Sequence, residues 1–168
     1  LQDWEVDVLN IVREETLYFI PQIETKIMNE GWASFWHYTI LNELKLPQGL
    51  HLEFIKRHNQ VIRPHMGQVN PYFVGFKIFE KLYQEDKTQI FQIREVERDA
   101  SFLRRYLTRE LCEDLHLFQY VKLGKDFFVK EVSDDDGWKP IRDSLANSVG
   151  ISGIPHISVL ELVKKDNM

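Results

Sequence analysis

One segment near the start of the chain, from Gln22 to Leu44, is apolar on nearly every side of the helix that it predicts. Its large apolar side chains recur at helical spacing around most of the circumference: Ile23, Ile27, Met28, Trp32, Phe35, Trp36 and Ile40. A helix that is apolar nearly all round is a buried helix. We therefore predict that other parts of the chain cover this segment.

A stripe of polar residues interrupts that apolar surface. Its members lie three, four or seven residues apart, which places them along one helix face: Gln22, Lys26, Asn29, Glu30 and His37. Ala33 fills the gap in the stripe and Gly31 lies close to it, so another backbone or a ligand can approach there. Because buried charge is costly unless it is paired or binds a metal, the stripe predicts one of two arrangements. One is a satisfied core network in which Lys26 pairs with Glu30, and the other is a functional site.

In the functional interpretation, Glu30 and His37 are the candidate catalytic residues. Glu30 would act as a metal ligand or a general base, and His37 as a ligand or an acid–base group. The supporting residues of the same stripe would be Gln22, Lys26 and Asn29. Since seven residues span about 10.5 Å along a helix axis, Glu30 and His37 could hardly share one metal.

A second polar cluster follows at the end of a short predicted helix, from Leu50 to His58. His58 is the candidate pocket residue of this cluster, because binding residues concentrate where a helix gives way to a loop. The single cysteine, Cys112, lacks a sequence context that would activate a thiol, and we interpret it as a core residue.

The order of predicted elements indicates an α+β fold, with a mainly helical N-terminal two thirds followed by a small ββαβ sheet module. Further helices are predicted from Asn70-Pro71 onwards, from Gln89 to Glu97 and from Ser101 to Leu115. The module begins with strands from Leu117 to Val121 and Phe127 to Val132, and the turn Leu123-Gly124-Lys125-Asp126 between them predicts a hairpin. A helix from Trp138 to Val149 and a strand from His156 to Val163 complete it. We therefore predict a helical domain over 1–114 and an incomplete ββαβ module over 115–168.

The composition narrows the class of protein. With 21 basic and 26 acidic side chains the net charge is −5, which argues against nucleic-acid binding. No apolar run reaches the roughly 18 residues of a membrane span. The lone cysteine fits a reducing compartment. We expect a soluble cytoplasmic protein that does not insert into a membrane, and the sequence leaves its oligomeric state open.

Several motifs along the chain match the sequence of one known protein family. They are Tyr18-Phe19-Ile20-Pro21-Gln22, Thr25-Lys26-Ile27-Met28-Asn29-Glu30-Gly31-Trp32-Ala33, Phe35-Trp36-His37, Asn70-Pro71-Tyr72 and Asp99-Ala100-Ser101-Phe102-Leu103. On these residues the chain resembles a central-to-C-terminal portion of the stage V sporulation protein R (SpoVR-like) family. The resemblance implies a cytoplasmic sporulation factor needed for spore cortex (peptidoglycan) formation. It leaves the biochemical activity undefined. Because the sequence contains no complete catalytic constellation, one hypothesis is a non-enzymatic scaffold or regulatory protein that binds an unknown protein partner in cortex assembly.

The run Asn29-Glu30-Gly31-Trp32-Ala33 is also similar to the helix that carries the glutamate ligand in glutamate-type zinc peptidases. This similarity implies an alternative, a metal-dependent, zincin-like hydrolase with Glu30 as a metal ligand and the other ligands outside this chain. Zinc in the full-length protein is then the candidate cofactor, and no cofactor is certain. Whether the protein is an enzyme, and what substrate it would act on, stays open.

Overall fold

A computed structural model describes residues 2–65 and 68–153. Within these ranges the chain forms eight α-helices, one two-stranded antiparallel sheet and a short 3-10 helix. The helices are α1 (Asp3–Glu24), α2 (Lys26–Glu43), α3 (Gln48–Ile62), α4 (Pro71–Glu85), α5 (Gln89–Val96), α6 (Asp99–Tyr106), α7 (Arg109–Asp114) and α8 (Trp138–Asn147). The strands are β1 (Phe118–Leu123) and β2 (Asp126–Val132), and the 3-10 helix Gly150–Gly153 follows α8. The predicted α+β fold class is confirmed.

Two features that short sequence motifs predicted are confirmed by the structure. The predicted helix start at Asn70-Pro71 is confirmed. The Asn70 side chain accepts a hydrogen bond from the backbone N–H of Tyr72, and Pro71 occupies the first helical position, where its missing N–H costs nothing. The predicted hairpin is also confirmed. Gly124, in its turn, has a φ of +66°, a conformation that glycine adopts without steric cost.

Three predicted helices have other bounds in the structure. The short helix predicted from Leu50 to His58 runs from Gln48 to Ile62, so His58 lies inside α3 and not at its end. The second helix begins at Lys26 rather than Gln22, because α1 continues past Pro21 and the backbone breaks at Thr25. The predicted helix from Ser101 to Leu115 is two helices, since Leu107 is extended and the Thr108 side chain accepts from the Leu111 N–H and starts α7. The strand predicted over 156–163 lies outside the described residues.

The centre of the fold is the crossing of α2 and α4. Both helices bury apolar side chains there, from α2 Ile27, Met28 and Phe35, and from α4 Val74, Phe76, Ile78, Phe79 and Leu82. Phe102 and Leu103 of α6 are fully buried and belong to the same core. The prediction that other elements cover the second helix is confirmed for these α2 residues. It is wrong for Ile40, which is 52% exposed near the end of the helix, and for Ile23, which is exposed near the end of α1.

Two glycines allow α2 and α4 to approach so closely. A Cβ atom built on Gly75 would lie only 2.6 Å from the Cα atom of Gly31, and one built on Gly31 would lie 2.9 Å from the backbone nitrogen of Phe76. Real side chains do not come this close to backbone atoms, so any larger residue at either position would push the helices apart. The prediction that Gly31 admits another backbone is confirmed.

A buried carboxylate fixes the first turn of α2. Asp99, at the start of α6, is 1% exposed. Its Oδ2 accepts from the Ile27 N–H at 2.8 Å and its Oδ1 from the Met28 N–H at 2.9 Å. Burial raises the pKa of Asp99, and the hydrogen bonds from α2 oppose that rise. Asp99 thus supplies acceptors for amides that a helix start otherwise leaves without partners.

The C-terminal elements pack on the helical part through α8. Ile141 and Ala146 of α8 are buried, and α8 contacts α6 and α7. The division of the chain near residue 114 remains a proposal. Within the part of the chain that the structure describes, no helix has both the length and the apolar character needed to cross a membrane.

We predict that Gly31→Ala and Gly75→Ala each destabilise the protein by roughly 1–3 kcal/mol, because the added methyl group forces the helices apart. Alanine in place of glycine otherwise favours a helix. Gly49→Ala in α3, where the new Cβ would have no neighbour within 4 Å, should therefore cause no loss. Urea denaturation of the three variants measures the difference, and equal stability of all three would contradict the prediction.

We predict that Asp99→Asn lowers the free energy of unfolding by about 1–3 kcal/mol. Asparagine has one carbonyl oxygen, so it can accept from only one of the two α2 amides, and this loss outweighs the relief of a buried charge. Thermal and chemical denaturation check it against Asp114→Asn, an exposed aspartate at the end of α7. The account of the α2 cap fails if the two variants are equally stable.

Candidate functional site

Glu30 lies on α2 directly before the glycine crossing and is half-buried. Its carboxylate faces the hydroxyl of Tyr72, in the first turn of α4. The pKa of Tyr72 is raised, chiefly by this side-chain interaction with Glu30 and next by burial. Among the ion pairs of residues 2–65 and 68–153, none includes Glu30. The carboxylate therefore sits between two helices with a phenol as its neighbour.

Asn29, next to Glu30, is tied to other parts of the fold. Its side-chain amide donates to the Thr25 hydroxyl at 2.9 Å, and its side-chain oxygen accepts from the Arg94 guanidinium of α5. These contacts join the α1–α2 break, α2 and α5. Asn29 thus helps to hold the turn of α2 that carries Glu30.

The polar stripe is not a buried core network, which was one of the two arrangements that the sequence left open. Gln22, Lys26 and His37 are exposed, and Lys26 forms no ion pair with Glu30 among the described contacts. The physical reason is the break at Thr25, which puts Gln22 on α1 and makes Lys26 the first residue of α2. The core-network interpretation is therefore wrong, and the functional roles of these residues stay predictions.

The structure brings His37 and His58 together. The two rings, from α2 and α3, have centroids 6.1 Å apart and planes inclined by 24°. His58 is 2% exposed and also contacts Tyr38, at 4.9 Å between centroids, and Phe76, at 5.1 Å. The three helices α2, α3 and α4 thus meet around a buried imidazole that the sequence placed at a helix end.

The environment of His58 favours its neutral form. Burial lowers the pKa of His58, nearby His37 lowers it further, and Glu80 raises it in part. Its Nε2 atom is buried and has no hydrogen-bond partner among the described residues. A protonated imidazole here would be a poorly solvated cation, which is costly.

Comparison with known protein families identifies the family of this chain. Residues 1–154 match the family described as "SpoVR like protein". The chain belongs to the SpoVR-like family. It is also 30% identical, over 192 aligned residues, to the uncharacterized protein YcgB of Escherichia coli (strain K12). That alignment covers 95% of this chain and 38% of YcgB. No solved structure matches.

In this SpoVR-like chain the two predicted catalytic residues belong to different places. Glu30 faces Tyr72 near the glycine crossing, whereas His37 lies two helical turns further along and faces His58. Tyr72 was missed as a site residue. The motif Asn70-Pro71-Tyr72 was visible, but nothing in it indicated that the phenol would meet α2.

The residues present do not form a zinc site by themselves. No group of three or more His, Cys, Asp or Glu residues in the described parts of this SpoVR-like chain could hold a metal ion, and a hydrolytic zinc site needs three protein ligands. Cys112 is fully buried, as predicted, and burial raises the pKa of its thiol to about 11. It is therefore a neutral thiol of the core near pH 7.

We predict that protonation of His58 destabilises the fold below about pH 6.5, the usual histidine pKa. Its pKa is lower in the folded than in the unfolded state, so the unfolded chain binds more protons and stability rises with pH in this range. One such group contributes a slope of up to about 1.4 kcal/mol per pH unit.

Urea denaturation at pH 5 to 7 measures this slope. His58→Phe should flatten it, because phenylalanine keeps the aromatic contacts and cannot be protonated. His51→Phe, on the same helix and only half-buried, should leave it unchanged. An unaltered slope in His58→Phe would show that His58 is not the group responsible.

Proposed function

We propose that this chain acts in spore cortex (peptidoglycan) formation, as part of a cytoplasmic SpoVR-like protein, and that the face of α2 around Glu30 is required for that role. The observation that carries the proposal is the family match over residues 1–154. It spans α1 to α8 and includes both Glu30 and Tyr72. The family is associated with sporulation, and the cortex role is the more specific proposal.

The geometry around Glu30 supports its place in the proposal. Asp99 fixes the first turn of α2, and the contact of Gly31 with Gly75 fixes the next turns against α4. A side chain on such a rigid element is held in one position, as binding and catalytic groups require. Its carboxylate is also half-exposed and free of ion pairs within the described residues, so it is available to a partner or substrate.

A protein partner is part of the proposal. A cortex factor of this kind would act through a surface that binds a component of the assembly machinery. The described part of the chain contains no complete set of catalytic residues, which favours a binding role over a reaction carried out by this chain alone.

The alternative function is a metal-dependent, zincin-like hydrolase. One observation favours it: Glu30 is a half-buried carboxylate without an ion pair, next to a tyrosine hydroxyl. Because the described residues hold no further ligands close to it, the rest of the site would have to come from elsewhere in the longer protein. In that arrangement this chain would supply one ligand, Glu30, and the neighbouring phenol.

Complementation tests the cortex proposal. A full-length SpoVR-like protein carrying this sequence would be expressed in an endospore former that lacks its own family member. We expect Glu30→Gln to reduce cortex peptidoglycan per spore and spore heat resistance at unchanged protein level. Glu43→Gln, an exposed change at the end of α2, should restore both. Full restoration by Glu30→Gln would contradict the role of this face, and failure of the unmodified protein would contradict the cortex role.

Metal analysis separates the two functions. We expect the purified full-length protein to hold no stoichiometric zinc if the cortex factor acts by binding alone. The hydrolase alternative requires about one zinc per chain, lost in Glu30→Gln and kept in Glu43→Gln. Equal, negligible zinc in all three proteins would remove the alternative and leave the cortex proposal intact.

A further inference from the structure

The first helix carries an unusually exposed apolar surface. It is 22 residues long, and none of its residues is buried. Its most exposed large apolar side chains are Tyr18 (70%), Trp4 (62%), Ile11 (62%), Val12 (57%) and Leu9 (56%). Scattered exposed apolar residues are normal, but a contiguous apolar surface of this size marks an interaction site.

Most of the exposed apolar residues of α1 lie on one side of the helix, which also carries Glu15, whereas Val6 and Leu17 lie on the opposite side. Trp4, Val8 and Ile11 follow each other at steps of four and three, which places them side by side on the helix. Val12, Phe19 and Ile23 extend the same face towards α2. A surface helix normally turns such a face to a core, yet α1 contacts the described fold mainly at its C-terminal end, beside the 3-10 helix.

The charge of α1 indicates the charge that a partner surface should carry. The helix carries six acidic residues and one basic residue: Asp3, Glu5, Asp7, Glu14, Glu15, Glu24 and Arg13. Its net charge therefore equals the −5 of the whole chain, and the remainder of the chain is neutral overall. The partner surface should be apolar in the middle and rimmed by lysine or arginine side chains.

Two other occupants fit this charge poorly. A second copy that paired α1 with α1 would bring two strongly acidic helices together, and like charges at an interface are unfavourable. An anionic lipid surface attracts helices with a basic polar face, and α1 has the opposite sign. A basic-rimmed protein groove satisfies both the apolar face and the charge, in the mode of a helix seated in a groove.

We propose that α1 docks through its apolar face into an apolar, basic-rimmed groove formed by the part of the SpoVR-like polypeptide outside these 168 residues. The length of the relative supports this choice, because the alignment with this chain accounts for only 38% of YcgB. The contact would be intramolecular, so it would lose less translational and rotational entropy than the association of two separate partners.

The docked helix would be coupled to the candidate site. Glu24, at the end of α1, pairs with Arg98 at 2.5 Å, and Arg98 directly precedes the Asp99 that caps α2. Only Thr25 separates α1 from α2. The position of α1 is thus joined to the helix that carries Glu30, and docking would fix both together. This inference does not depend on the cortex role or on a metal.

Hydrogen–deuterium exchange tests the docking directly. It compares the 168-residue chain with a full-length SpoVR-like protein that carries the same sequence. We expect the amides of α1 to exchange at least about 100-fold more slowly in the full-length protein, because docking suppresses local opening. The amides of α4, which is buried in both proteins, are the internal reference. Equal exchange of α1 in the two proteins would overturn the proposal.

A matched pair of variants provides a second test. Ile11→Asp places a charge on the apolar face, and Asn10→Asp adds the same charge on the polar side of the helix. In the full-length protein, Ile11→Asp should lower Tm by several degrees and restore fast exchange of α1, whereas Asn10→Asp should do neither. In the 168-residue chain both variants should leave Tm unchanged.

If a second copy of the chain or a membrane covered α1 instead, two further experiments would show it. Analytical ultracentrifugation of the 168-residue chain would reveal a dimer that Ile11→Asp dissociates if a second copy covers α1. Sedimentation with vesicles of phosphatidylcholine and phosphatidylglycerol would show binding lost in Ile11→Asp if a membrane covers it. Either result, with unprotected α1 in the full-length protein, would overturn the proposal.

Discussion

The contact between Gly31 and Gly75 is the constraint on which the rest of the fold depends. Without side chains at these two positions, α2 and α4 pack backbone against backbone. Close packing then lets Met28, Ile78 and Phe79 bury completely on either side. The same approach brings Tyr72, in the first turn of α4, opposite Glu30 on α2. It also allows α3 to place His58 between α2 and α4, against Tyr38 and Phe76. Both groups of candidate residues therefore follow from one helix crossing.

A buried charge complements the glycine crossing. Asp99 lies more than 70 residues from the amides that it accepts from, so the start of α2 is fixed by tertiary structure rather than by its own cap. A carboxylate in this position is expensive to bury, and its two backbone hydrogen bonds offset that cost. This arrangement joins α6 to α2. The helix α1 leaves the core at this junction, and its exposed apolar face is the surface for which we propose docking.

The sequence predicted features that arise within a few residues of chain. The cap of α4 by Asn70 and the turn at Gly124 are local, and both were predicted correctly. The start of α2 was misplaced because it depends on Asp99, which no local pattern reveals. The core-network alternative for the polar stripe failed because the break at Thr25 removes Gln22 from the helix of Glu30 and Lys26 is exposed. The pairing of Glu30 with Tyr72, and of His37 with His58, needs the packing of separate helices, so spacing alone could not give it.

The central claim is that α2 and α4 touch through their backbones at Gly31 and Gly75, and one NMR measurement tests it most directly. In the 20.1 kDa chain, nuclear Overhauser effects can be measured between the Hα protons of these two assigned glycines. We expect strong cross-peaks between them, because not even one Cβ atom has room between the two helices. Assigned glycine resonances without any such cross-peak would contradict the claim.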